Sequence, residues 1–340
     1  MMRTRLLALI AAIAISGVAA TVARVDVPER LTDAAFWKLS ADASEPGGYF
    51  RSQDITNLTS NELGFQLVIP ELVRRTRPGG VYLGVGPEQN FTYIAAVRPA
   101  MAIIFDIRRG NLDLQLMYKA IFELSRDRAD FVGMLFGRPR LTGVGPNATA
   151  RDLFRALARI PPSESVFRQH LAAIEQRLSR THALPMRPAD LAAVRTIYET
   201  FYYSGVGVRA FPTYADLMGA TDADGVNRGF LANEDNFTFV RNLELRNMIV
   251  PVVGDFAGPK ALRAVGAYLT GRRAVVSAFY LSNVEQYLGD WSVFCRNVRS
   301  FPLDGASTFI RSTSGGGFGR GGGFVSSLGA MAEEVRSCGG

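Results

Sequence analysis

The order of apolar runs in this 340-residue chain predicts an α/β fold: a mostly parallel sheet with helices on both faces, broken by a helical insertion. Three observations carry the prediction. Residues 81–86 (VYLGVG) and 101–106 (MAIIFD) are nearly unbroken apolar runs, as strands covered on both faces are. Helical patterns lie between and after them, which implies right-handed crossovers. After a long stretch with helical spacing only, residues 248–255 (MIVPVVGD) and 274–281 (AVVSAFYL) resume the alternation.

Taken in order, residues 31–39 read as a short helix, and a polar stretch follows from 44 to 60. Thr59, Ser60, Asn61 and Glu62 fit a capping box, with Glu62 three residues after the Thr. The helix it opens is expected to turn Leu63, Leu67, Val68 and Leu72 toward a core, to bend at Pro70 and to stop at Pro78-Gly79-Gly80. After the first strand, residues 90–97 read as a helix. After the second, Leu112, Leu116, Met117, Ala120, Ile121 and Leu124 recur at helical spacing. From 126 to 204 only helices are expected, one opening at Pro161-Pro162-Ser163 and one at Pro188. Helices at 259–269 and 284–298 separate the later strands, and 307–311 is a last short strand. The expected plan is a signal peptide at 1–23, a first half of the sheet domain at 24–125, a helical insertion at 126–235, a second half at 236–312 and a Gly-rich tail at 313–340.

Apolar residues make up 48% and charged residues 20%, enough to bury a core and to exclude wholesale disorder. The formal charge is +7, but only Lys38, Lys119 and Lys260 are lysines. So broad an Arg excess reads as a compositional habit rather than a nucleic-acid surface. Two Cys cannot build a disulfide framework or a four-Cys zinc site, and the two His have no metal-ligand spacing. No metal is expected. Cys295 and Cys338 either pair or stay as free thiols. Arg3 and Arg5 precede an apolar run at 6–20 that ends in small residues, the pattern of a signal peptide. The chain is therefore expected to be exported, periplasmic or extracellular, with an inner-membrane anchor at 6–22 as the alternative.

Gly84-Val85-Gly86-Pro87-Glu88-Gln89-Asn90 stands between a strand and a helix. Glycines there permit a tight turn and close approach of a ligand to backbone N–H groups. Asp106 ends the second strand twenty positions after Gly86, where a carboxylate accepts hydrogen bonds from ribose hydroxyls. Gly84, Gly86, Glu88, Gln89, Asn90 and Asp106 are the candidate cofactor site. Gln89 occupies the third-glycine position of a dinucleotide fingerprint, which disfavours a diphosphate and favours S-adenosylmethionine. Arg108, Arg109 and Lys260 are the candidate substrate or anion contacts; ion pairing, including an Arg on Asp106, is the competing role. Asp255, Tyr280, Asn283 and Glu285 stand at the ends of later strands, where open α/β sheets carry their sites, and are the catalytic candidates.

The blocks GVGPEQNF (84–91), FDIRRGN (105–111), MYKAIFELSRDRADF (117–131), VPVVGDFAGPKALRAVG (250–266) and AFYLSNVEQYL (278–288) resemble an uncharacterised bacterial protein family over about residues 36–311. The order of elements resembles a class I methyltransferase with a Rossmann-like sheet. That resemblance implies Gly84 and Gly86 in the first Gly turn, Asp106 on the cofactor, Asp255 after the third strand, and Asn283 with Glu285 after the fourth. The Pro87-Glu88-Gln89 turn and the insertion before Ile249 depart from the pattern. The expected function is a S-adenosylmethionine-dependent methyltransferase or a descendant of one. The alternatives are an exported small-ligand binding protein on that scaffold, and a hydrolase using strand-end carboxylates. The expected partner is a small molecule, with no nucleic acid and with membrane contact only through an uncleaved signal. Export conflicts with S-adenosylmethionine being a cytoplasmic cofactor.

Overall fold

The computed structural model describes residues 26–49, 57–314 and 324–338. The expected signal peptide and residues 315–323 of the Gly-rich stretch lie outside them. The chain runs through α1 (Asp33–Ala43), a 3-10 turn (Phe65–Val68), α2 (Ile69–Arg75), β1 (Val81–Val85), α3 (Gln89–Val97), β2 (Met101–Asp106) and α4 (Arg109–Leu124). Helices α5 (Arg128–Leu135), α6 (Ala150–Leu157), α7 (Glu164–Gln176), α8 (Pro188–Ser204), α9 (Tyr214–Met218) and α10 (Glu234–Leu245) follow. The sheet resumes with β3 (Ile249–Val253), α11 (Ala261–Gly271), β4 (Val276–Ser282), a 3-10 turn (Val284–Tyr287) and α12 (Trp291–Val298). Strands β5 (Thr308–Ser314) and β6 (Phe324–Ala330) and helix α13 (Met331–Ser337) complete it.

The fold is α/β and Rossmann-like. Six strands lie in the order β3-β2-β1-β4-β5-β6. All pair in parallel except β6, which runs antiparallel to β5. Every residue of β1, β2 and β3 is buried, which is why their sequences show no polar alternation. The registers Val85↔Phe105 and Asp106↔Val253 bring the Gly86 turn, Asp106 and Gly254 to one edge of the sheet.

Helix α4 joins the sheet to the inserted helices, packing on β2 and β3 and against α5, α7, α8 and α10. It is buried from Asn111 to Glu123, so its polar residues need internal partners. Lys119 Nζ lies 2.7 Å from Glu123 Oε1 and donates to the Glu244 carbonyl at 2.6 Å. The His182 ring bridges Glu123 (Nε2, 2.6 Å) and Asp33 (Nδ1, 2.7 Å). The rare lysine at 119 is thus a buried structural charge. Beside it, Phe91, Phe122, Phe131, Phe230 and Phe237 form an aromatic cluster, with Phe122 and Phe131 centroids 4.5 Å apart.

Three stretches depart from the sequence pattern. The Thr59–Glu62 capping box does not open a helix: α2 begins at Ile69, and Pro70 sits in its first turn, where its missing N–H costs nothing. Leu63 and Leu67 are exposed rather than in the core. The expected helix at 284–298 is split, and Asp290 caps its second part by accepting from the Ser292 N–H at 2.8 Å. Beyond the Gly-rich stretch, where only a tail is expected, β6 pairs with β5 at the sheet edge and α13 packs on α12. Cys295 and Cys338 are joined by a disulfide, their Cα atoms 5.9 Å apart, which ties α13 to α12.

Candidate functional site

A cavity of about 810 Å³ lies over the C-terminal ends of β1, β2, β3 and β4. It sits where the strand order reverses between β1 and β4, the position at which open α/β sheets bind ligands. A second cavity of similar size lies between residues 142–148 and α6. Its Asp152 and Arg155 pair with each other and Asp152 caps α6, so their charges are already spent. The strand-end cavity is the one that gathers the strand-end residues singled out by the sequence.

Its first wall is the β1 turn. Gly86 has φ +80°, and a Cβ there would meet nothing within 4 Å, so the backbone lies open to a ligand. Asn90 builds this turn from inside: its Nδ2 donates to the carbonyls of Val85 (3.0 Å), Gly86 (3.3 Å) and Pro87 (2.7 Å). Tyr82 donates to Asn90 Oδ1 at 2.9 Å. Gly84 leaves room for that contact, because a Cβ would collide with Asn90 and Tyr82. Gln89 donates to Glu62 at 2.9 Å, and Glu88 accepts from the Ser60 N–H at 3.2 Å. Burial pushes the Glu88 carboxyl up to about 7. Of the six residues expected to bind cofactor, Gly86 and Asp106 line the cavity; Gly84, Glu88, Gln89 and Asn90 lie behind the wall and hold it.

Asp106 forms the second wall, but Arg108 is already on it. The Arg108 backbone N–H (2.8 Å) and Nε (3.2 Å) donate to Oδ1, and Nη2 donates to Oδ2 at 3.1 Å. Both residues line the cavity. Arg109 points elsewhere, donating to Asp190 on α8 at 3.2 and 2.9 Å. The third wall is Gly254, Asp255 and Phe256. Asp255 Oδ1 accepts from the Ala257 N–H at 2.9 Å and closes the turn. Glu45 takes the N-terminus of α11, accepting from the N–H groups of Lys260 and Ala261, each at 2.7 Å. Lys260 Nζ donates to the Ser44 carbonyl at 2.8 Å and does not line the cavity. It straps the segment carrying Glu45 in place rather than holding a free anion.

The fourth wall is the β4 end. Tyr280, Ser282 and Asn283 line the cavity; Glu285 does not. Glu285 is clamped by Arg311 Nε at 2.9 and 2.8 Å, and Arg311 also pairs with Glu334 at 2.7 Å. Ser282 has φ +51°, a left-handed backbone unusual for a residue with a Cβ. Its hydroxyl donates to Glu62, as does that of Ser312. Tyr280 donates to Glu62 Oε2 at 2.8 Å. Burial, then the charge of Glu62, hold the Tyr280 phenol well above its usual range, so it stays a donor.

Glu62 is the residue that sequence reasoning missed. It sits at the centre of Gln89, Tyr280, Ser282 and Ser312, yet its spacing from Thr59 reads as a helix cap. Ser60 and Asn61, from the same expected capping box, also line the cavity, as does Arg209, which no motif announces.

A family model described as a domain of unknown function (DUF7790) matches residues 57–140 and 149–328. These spans hold every cavity wall named above, while much of the loop bordering the second cavity falls between them. No curated protein matches the chain.

Proposed function

The chain belongs to the DUF7790 family, and from the chemistry of its pocket we propose that it binds an adenosyl-type ligand as a methyltransferase-like enzyme or a descendant of one. The observation carrying this reading is that Gly86 and Asp106 share one rim of a cavity at the strand-order reversal. The cavity volume, about 810 Å³, suits a small-molecule site. The residues fit an adenosyl group. Gly86 exposes backbone toward the space, and Phe256 offers an apolar face for a base. Arg108 fills three of about four acceptor directions on Asp106, which leaves one for a ribose hydroxyl. When bound, S-adenosylmethionine supplies an electrophilic methyl group. Asn283 would orient the acceptor through its amide, and Tyr280, whose proton is already on Glu62, would offer only its hydroxyl oxygen as an acceptor.

The proposal includes export by residues 1–23 to the periplasm or beyond, with anchoring through 6–22 as the alternative. Among the described residues no helix is long and apolar enough to cross a membrane. A second reading is an exported small-ligand binding protein on the same scaffold. The engagement of Asp106 by Arg108 favours it, because a two-point grip on a ribose diol is then lost. The hydrolase alternative loses two of its acids: Glu285 is clamped by Arg311 and Glu88 is sealed behind the wall.

A melting-temperature screen tests the reading, using S-adenosylmethionine, S-adenosylhomocysteine, nucleotides and sugar phosphates. A ligand at a hundredfold excess over its Kd adds about 2.7 kcal/mol to stability. A rise with either adenosyl compound supports the first reading. No rise with either at millimolar concentration, with a rise from another compound, transfers the case to the second.

A further inference from the structure

Among the described residues, the charges lining the cavity do not balance. Its lining carries three carboxylates, on Glu62, Asp106 and Asp255, against two guanidiniums, on Arg108 and Arg209. Arg108 is spent on Asp106. The pull of Arg209 falls on the buried Glu88, whose own charge is opposed by burial and by Glu62. Glu62 itself is 1% exposed, and all four of its side-chain donors are neutral: one amide and three hydroxyls. An ionised carboxylate is acceptor-only, which matches four converging donors. Hydrogen bonds from neutral groups spread its charge but do not cancel it, and a buried charge without a counter-charge is costly. The Tyr280 ring stands beside it, tilted against Tyr93 with centroids 5.1 Å apart, and such a ring also attracts cations. Ser282 holds its hydroxyl on Glu62 only through a left-handed backbone. Strain of that kind, at a cavity wall, marks a residue held for its contact.

We propose that Glu62, with Tyr280 and Ser282, forms a subsite for a positively charged onium group of the ligand, a sulfonium or an alkylated ammonium, at the β1–β4 end of the cavity. The subsite supplies the counter-charge relation that the protein leaves open. It rests on the adenosyl reading for the rest of the ligand, and not for the charge. A cationic sulfonium is then preferred over the neutral thioether that differs from it by one methyl group.

The experiment is a titration of the full chain with S-adenosylmethionine and S-adenosylhomocysteine, in wild type and in Glu62→Gln. The wild type should bind the sulfonium about tenfold tighter or better, as a charge pair at partly buried distance allows, and Glu62→Gln should bring the two affinities together. Equal affinities in the wild type, or a preference that survives Glu62→Gln, would overturn the subsite while leaving the adenosyl reading intact. If neither compound binds, the adenosyl reading falls, and choline against its neutral isostere 3,3-dimethylbutan-1-ol decides the subsite. A melting shift with choline only, lost in Glu62→Gln, supports it; no preference for choline overturns it. If Glu62→Gln does not fold, Glu62→Asp retracts the charge by one methylene and should shrink the preference about threefold. An unchanged preference there counts against the subsite.

Discussion

Replacing Lys119 by Met removes a charge from a place that water does not reach. The Lys119 and Glu123 side chains are 2% and 1% exposed, and their charged atoms are 2.7 Å apart. Met is close to Lys in length, so no large void opens and the loss is electrostatic. Breaking a buried pair from one side costs about 3–5 kcal/mol, because the partner keeps its charge and loses its compensation. Here Glu123 retains His182 at 2.6 Å and Arg177 at 3.8 Å, which argues for the lower end, about 3 kcal/mol. The Glu244 carbonyl also loses its donor. Urea unfolding at pH 7, followed by circular dichroism, reads the difference as a lower midpoint at unchanged slope. Adding Glu123→Leu should restore part of the loss, since replacing both members of a buried pair is often nearly neutral. Recovery should stop short of wild type, because His182 then loses its Nε2 partner. A loss under about 1 kcal/mol for Lys119→Met would refute the reasoning that this pair is a desolvated structural charge.

Burial raises Glu88 and Asp113 to about 7 and Glu244 to about 8, so the folded chain keeps protons that the unfolded chain sheds near the ordinary 3.8–4.5. Folding stability should therefore fall as pH rises from about 5 to 8. His182 acts in the same direction: the hydrogen bonds its ring makes to Glu123 and Asp33 raise it against burial, so its contribution is full below its unfolded value of 6.5 and lost as pH passes the raised folded value. Asp190, drawn down to about 2 by Arg187 and Arg109 against its burial, matters only below about pH 4. Melting temperatures higher at pH 8 than at pH 5 would contradict this account. The Cys295–Cys338 bond spans 43 residues and should add about 4 kcal/mol by the chain-entropy relation, read as the urea midpoint with and without reductant; identical midpoints would count against it. Glu285→Gln should leave ligand affinity within about twofold and lower stability by about 1 kcal/mol through the half-buried pair with Arg311. A tenfold change in affinity would return Glu285 to the site.

The sheet was legible because buried parallel strands write themselves as unbroken apolar runs: residues 81–86, 101–106, 248–255 and 274–281 all hold strands of the sheet. Gly86 and Asp106 were legible too, since a Gly turn and an acidic strand end have meaning only in that frame. Which way a side chain points was not. Glu88, Gln89 and Asn90 start a helix, and only the fold decides that they face the turn and the 57–62 loop rather than the cavity. Arg108 and Arg109 are neighbours in sequence and part company: one turns back to Asp106, the other reaches 81 residues ahead to Asp190. Glu62 was hidden by a local pattern that means something else, because its partners at 280, 282 and 312 are distant in the chain. The last strand was missed because β6 carries Ser and Gly at a partly exposed edge and lacks the apolar run of the others.

The segment around Glu45 sets an order of events. Its backbone N–H donates to the Val253 carbonyl at 2.8 Å, its carboxylate caps α11, and Lys260 fastens the residue before it. Just beyond, the Gly48 N–H reaches the Ile107 carbonyl at 2.7 Å, and Tyr49 borders the cavity. A ribosome releases residues 44–49 long before residue 261 exists. That early segment finds Ile107 soon after, but its partners at Val253, Lys260 and Ala261 only when the far half of the sheet has been made, so one rim of the cavity is fixed late by one of the first described parts of the chain to be synthesised.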